Sequence, residues 1–252
     1  MRQIDLESRN EELMMRWIDR VGVPALAAVA TLTMVAALYM VFFYAPVEAQ
    51  MGIVQKIFYM HVPAAMAMYA GFAVAALCSL LYLLKPSTRW DIGAQVGAEM
   101  GLGACVFVLI SGPLWAYKAW GTFWTWDPQL TATFVLFLMY AGYVVMRSFG
   151  GEGKGVKKVA AVLALLAIIN VPIVHYAVEL WGGMHPVVER EGGGGLATEM
   201  AQTLQVSMVG FLLMFALLMW MHYRGRVMKE DLNQLYLEAE DLARLNRQEV
   251  SR

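Results

Sequence analysis

Two histidines and four tryptophans are the side chains of this sequence best suited to chemistry. His61 stands in Tyr59-Met60-His61-Val62-Pro63, and His185 in Trp181-Gly182-Gly183-Met184-His185-Pro186. Trp115, Trp120, Trp124 and Trp126 crowd into one short stretch, half of the 8 tryptophans in the chain, and Asp127-Pro128 closes it. Neutral imidazole is a ligand for haem iron and for other borderline metals. Clustered flat rings offer a platform to a large planar apolar ligand, because ring contacts bury much area. Each feature also has an ordinary explanation. A lone histidine at a membrane boundary is usually a solvated side chain, and tryptophan populates the interfacial belt of any membrane protein. A belt spreads over all helix ends, however, whereas this cluster is local, and two of the 4 histidines flank it. Those two facts favour ligation. Met60 and Met184 adjoin the histidines, but adjacency carries little weight in a chain with 19 methionines.

The other candidates have quieter readings. His175 lies one helical turn before Glu179, so the pair shares a helix face. Ionisable residues inside a span are functional candidates by default. Here a structural hydrogen bond within the bundle is the expected role, since a deep bis-histidine site would need a second deep histidine. His222 falls at the opposite boundary and receives no role, and Glu99 is expected to snorkel or cap. Aspartate caps helices and proline suits the first helical position, so Asp127 is expected to position the aromatic platform. Cys78 and Cys105 both lie in apolar runs, outside any CxxC or CxxCH, and are expected to be small buried hydrophobes. Covalent haem attachment is therefore not encoded. No GxxxxGK[ST] motif appears, so ATP-driven work would come from a partner. No catalytic residue emerges, and a binding or transfer protein is expected rather than an enzyme.

Membrane-spanning helices must position these residues. The chain has 252 residues, 60% hydrophobic and 15% charged, against roughly half and a quarter in soluble domains. A net charge of -1 leaves no basic surface for nucleic acid. A span needs about 20 mostly apolar residues. Six are expected, at about 24–44, 58–84, 96–117, 130–147, 159–179 and 204–223, an all-α transmembrane bundle. Residues 1–23 form an N-terminal segment and 224–252 an amphipathic tail, with Leu232, Leu235, Ala239 and Leu242 at helical spacing. Placing both termini in the cytoplasm puts all 19 basic residues on that side except Lys56, Lys118 and Arg190, as the positive-inside rule requires. His61, His185 and the tryptophan stretch then share the outer face. Lys56, Lys118 and Arg190 become the basic candidates for the propionates of a bound haem.

The run Trp120-Gly121-Thr122-Phe123-Trp124-Thr125-Trp126-Asp127-Pro128-Gln129-Leu130-Thr131 resembles the WWD signature of the haem-handling proteins of cytochrome c maturation. His61-Val62-Pro63-Ala64-Ala65 and Asn170-Val171-Pro172-Ile173-Val174-His175-Tyr176-Ala177-Val178-Glu179 are similar to its CcmC branch. The similarity covers roughly residues 20–225. It implies a bacterial inner-membrane protein holding non-covalent haem b on its periplasmic face, with His61 and His185 as axial ligands. The WWD segment, about 115–131, would hold the haem through Trp115, Trp120, Gly121, Trp124, Trp126 and Asp127. Trp181, His175 and Glu179 would support it. The implied partners are the chaperone CcmE, the CcmA/CcmB ABC transporter and the small protein CcmD. The family often has arginine where this chain has Gln129. A haem permease, an electron-transfer subunit and a structural subunit of an ABC complex are the other classes open.

Overall fold

The computed structural model describes residues 17–151, 153–185 and 196–250. Among them the chain is helical, without a strand, and six helices are long and apolar enough to cross a membrane. We number them α1 (Ile18–Tyr44), α2 (Ile53–Leu84), α3 (Thr88–Trp120), α4 (Pro128–Phe149), α5 (Lys154–Trp181) and α6 (Thr198–Val250). α1 begins before the expected boundary at 24, and α3 runs past 117 into the tryptophan stretch. α6 is the larger departure. Its 53 residues make a rod of roughly 80 Å at 1.5 Å per residue, far longer than a bilayer core of about 30 Å. The expected tail is thus the unbroken continuation of the last span, with Leu232, Leu235 and Leu242 exposed.

Small residues set the closest contact in the bundle. Gly93, Gly97 and Gly101 recur every fourth residue on one face of α3 and pack against α2. A methyl at Gly97 would stand 2.6 Å from the backbone nitrogen of Ala75, and one at Gly101 2.6 Å from the Phe72 ring. Lipid tails are as apolar as leucine, so close backbone packing of this kind, rather than hydrophobicity, holds membrane helices together. Around this seam α4 and α5 complete the core. Phe72 stacks on Tyr140 with centroids 3.7 Å apart, beside the fully buried Met68, Leu136, Ala164 and Val174.

Local chemistry explains how the helices start and bend. Asp127 caps α4 by accepting from Gln129 N (3.0 Å), and Pro128 follows as its first residue. α5 breaks at Ile169 because Pro172 has no N–H for the carbonyl of Ile168 and its ring crowds that oxygen. Asn170 at the break donates from Nδ2 to Ala132 O of α4 (2.9 Å), tying the two helices together.

The end of the bundle away from the Trp115–Trp126 cluster is fastened by charge. Buried Asp91 meets Arg147 (2.8 Å) and Lys157 (3.2 Å). Arg226 donates to both Glu99 oxygens (2.7 and 2.9 Å) and to Gln95 (2.8 Å). Glu99 and His222, read from the sequence as incidental, both belong to this network, with His222 Nε2 lying 3.1 Å from Glu99.

Candidate functional site

His61 sits in the first turns of α2, where the glycine seam has already brought α3 close. Its Nδ1 lies 2.9 Å from Ser111 Oγ on α3. The serine hydroxyl has one proton, and it goes to the carbonyl of Phe107 at 2.7 Å. With that proton on Phe107 O, Ser111 accepts from the imidazole, an arrangement that places the ring proton on Nδ1 and leaves Nε2 with a free lone pair. Metal-binding histidines are characteristically oriented by a hydrogen bond of this type on the other ring nitrogen. Gly112, the next residue, completes the seat, since a methyl there would stand 3.2 Å from the His61 ring carbon Cε1.

The tryptophan stretch is part helix, part loop. Trp115 and Trp120 belong to the last turns of α3 and meet edge to face with centroids 5.9 Å apart. Trp115 Nε1 donates to Gln55 Oε1 (3.3 Å) in the first turn of α2, which holds the indole in place. Gly121 ends α3 at φ 74°, the left-handed cap that glycine adopts without strain. Trp124 then packs edge to face on Trp126 (5.7 Å) and on Phe134 of α4 (6.0 Å).

Asp127 has a second task beyond its cap. Its other oxygen, Oδ2, accepts from Met184 N at 2.8 Å, so one buried carboxylate joins the start of α4 to the loop that carries His185. The approach is close. A methyl at Gly183 would collide with Asp127 Oδ2 at 2.3 Å, and Gly182 sits at φ 72°, so both positions require glycine. His185 is thereby set beside Trp120, ring centroids 6.2 Å apart. Burial holds its imidazole below the usual pKa, with the Asp127 carboxylate opposing the shift. It stays neutral near pH 7, the form that ligates metals. Its Nδ1 is buried and has no hydrogen-bond partner among the described residues.

His61 and His185 line a single apolar cleft with Trp115, Trp120, Trp124 and Gln129. The other candidates lie outside it. Asp127 caps α4 and ties the His185 loop, and Gly121 ends α3. Trp126 and Trp181, 76% and 62% exposed, flank a separate outer groove. His175 and Glu179 do share a helix face, but it looks outward, both are exposed, and no hydrogen bond joins them among the described residues. Lys56 is engaged elsewhere. Its ammonium donates to Val41 O (2.6 Å) and Phe42 O (3.1 Å), closing the end of α1. Lys118 is exposed at the end of α3, whereas Arg190 and the Gly192–Gly195 run lie outside the described residues. Ser111, Gly112 and Gln55 gave no signal in the sequence, because nothing there tells which helices face each other.

Residues 7–238 match the family described as CcmC, Heme exporter protein C. The chain belongs to this family. It is similar to Heme exporter protein C of Escherichia coli K12, 31% identical over 209 residues, 82% of this chain and 84% of that one. The protein of the same name from Bradyrhizobium diazoefficiens is 31% identical over 216 residues, 85% of this chain and 82% of its own. A putative cytochrome c biosynthesis ccmC-like mitochondrial protein of Marchantia polymorpha is 32% identical over 149 residues, 59% of this chain and 63% of its own. Membership of the haem exporter protein C family makes this a multi-pass membrane protein of a haem-handling system, and the donor set can be judged against haem. It fits. Two neutral imidazoles face one apolar space, one with its tautomer set for Nε2 ligation and the other with an orphaned ring nitrogen. An unpaired buried polar atom costs about 1–3 kcal/mol, a deficit that a ligand in the cleft would remove.

Proposed function

We propose that this chain binds haem b non-covalently at the periplasmic face of the bacterial inner membrane and presents it to the haem chaperone CcmE. His61 and His185 would hold the haem iron through their ring nitrogens. The observation that carries this reading is the convergence on one tryptophan-walled cleft of two histidines from distant parts of the chain. The chain's own residues then divide the work. Ser111 orients His61, and Asp127 holds the His185 loop through Met184 N. Trp115, Trp120 and Trp124 keep water from the cleft. Release follows when the Asp127–Met184 contact breaks and the loop, hinged at Gly182 and Gly183, carries His185 away. CcmA, CcmB and CcmD are the partners assigned to that step. ATP hydrolysis is theirs.

Sidedness rests on charge. Lys85, Arg89, Arg147, Lys157, Arg224 and Arg226 all gather at the end opposite the cleft, which the positive-inside rule assigns to the cytoplasm. Presentation is favoured over passage through the bundle because the core directly below the cleft is filled by Met68 and the Phe72–Tyr140 stack. The reading is tested by trapping the protein with CcmE and recording the absorption of the purified complex. A Soret band that disappears in His61→Ala is expected, and a trapped complex without haem would overturn the proposal.

A further inference from the structure

A second cleft opens in the other half of the molecule, between α2, α3 and α6. Val74, Val96, Leu212 and Phe215 give it apolar walls, and Trp220 and Tyr223 continue them towards the charged end. Leu212 to Tyr223 covers roughly 16 Å of helix at 1.5 Å per residue, about half of a 30 Å hydrocarbon core. The cleft is as deep as one leaflet. Its lower rim carries Arg89 and Trp90.

Arg89 also lines an adjoining polar depression with Ser87, Glu230, Asp231 and Gln234. A cation therefore stands where the apolar cleft meets two carboxylates. Arg89 is only loosely engaged, 3.9 Å from Asp231, with both side chains 57% exposed. The order along the cleft is thus apolar wall, one cation, two anions.

We infer that this cleft binds one phospholipid with a zwitterionic, amine-bearing headgroup of the phosphatidylethanolamine type. An acyl chain fills the apolar walls. The phosphate meets Arg89, and the ammonium donates to Glu230 and Asp231. Each part of the lipid finds its complement at the right depth. A headgroup with net negative charge would face the two carboxylates, and a choline cannot donate a hydrogen bond to them. A partner helix would cover the apolar walls but would leave the sequence of charges beyond the rim unexplained.

Native mass spectrometry of the full-length protein tests this, with phosphatidylethanolamine, phosphatidylglycerol and phosphatidylcholine of matched chains added in equal amounts. One phosphatidylethanolamine per chain is expected, retained roughly fivefold over the other two, the scale of an exposed ion pair. Arg89→Gln should weaken the retention of all three by about the same fivefold. The double variant Glu230→Gln, Asp231→Asn should still hold a lipid but prefer phosphatidylglycerol, an inversion that unfolding cannot produce. Equal retention of the three lipids by the wild type would overturn the inference. So would an unchanged preference in the double variant, or a co-purifying protein helix that occupies the cleft.

Discussion

Ser111 carries the site's finest detail, because one hydroxyl decides which nitrogen of His61 is free. With its proton committed to Phe107 O, the serine accepts from Nδ1 and holds the imidazole in the tautomer that presents Nε2. Removing such an orienting hydrogen bond typically costs a metal site roughly ten- to a hundredfold in affinity. Ser111→Ala should therefore weaken haem binding by that factor in a titration followed at the Soret band, while the melting temperature of the apoprotein changes little. Unchanged haem affinity would show that packing alone orients His61. The sequence singled out His61, His185, Trp115, Trp120 and Trp124 by type and clustering, and the fold brings these five to one cleft. Ser111 was not singled out, because a serine in an apolar run has no distinguishing context until α2 and α3 are known to touch there. The pairing of His175 with Glu179 shows the converse. Helical spacing put both on one face, but spacing does not say where a face points, and this one points outward.

At the scale of elements, the α2–α3 contact is what brings His61 to Ser111. The Gly93-Gly97-Gly101 repeat lets the two backbones meet, and the same approach persists to Gly112 beneath the imidazole. Gly97→Ala would place a methyl 2.6 Å from backbone atoms that cannot rotate away. Overpacking of this kind costs about 1–3 kcal/mol. The expected result is a lower melting temperature in detergent. Gly103→Ala, on the same helix with nothing within 4 Å of the new methyl, should be neutral or slightly stabilising, because alanine favours helix. Equal behaviour of the two variants would refute a tight seam. All six spans were evident from hydropathy and length. Their ends were less so, because α3 carries Trp120 past the apolar run and α6 continues for many turns beyond it. Hydropathy records where lipid begins, not where a helix stops.

The whole molecule is polarised, with His61, His185 and the Trp115–Trp126 cluster at one end and most of the basic side chains at the other. The account places the first end in the periplasm. Single cysteines at Lys118 and Leu242, both exposed, test this with a membrane-impermeant maleimide. Lys118→Cys should label in cells with a permeabilised outer membrane, and Leu242→Cys only once the inner membrane is broken. The native Cys78 and Cys105 are buried and should stay silent. The reverse pattern would invert the topology. The most direct measurement concerns the cleft itself: the absorption spectrum of the purified protein, compared with His61→Ala and His185→Ala. The account predicts a Soret band in the wild type, loss of most haem in either variant, and recovery of haem when free imidazole is supplied in place of the missing ring. Full haem content in both variants, with an unshifted spectrum, would contradict it.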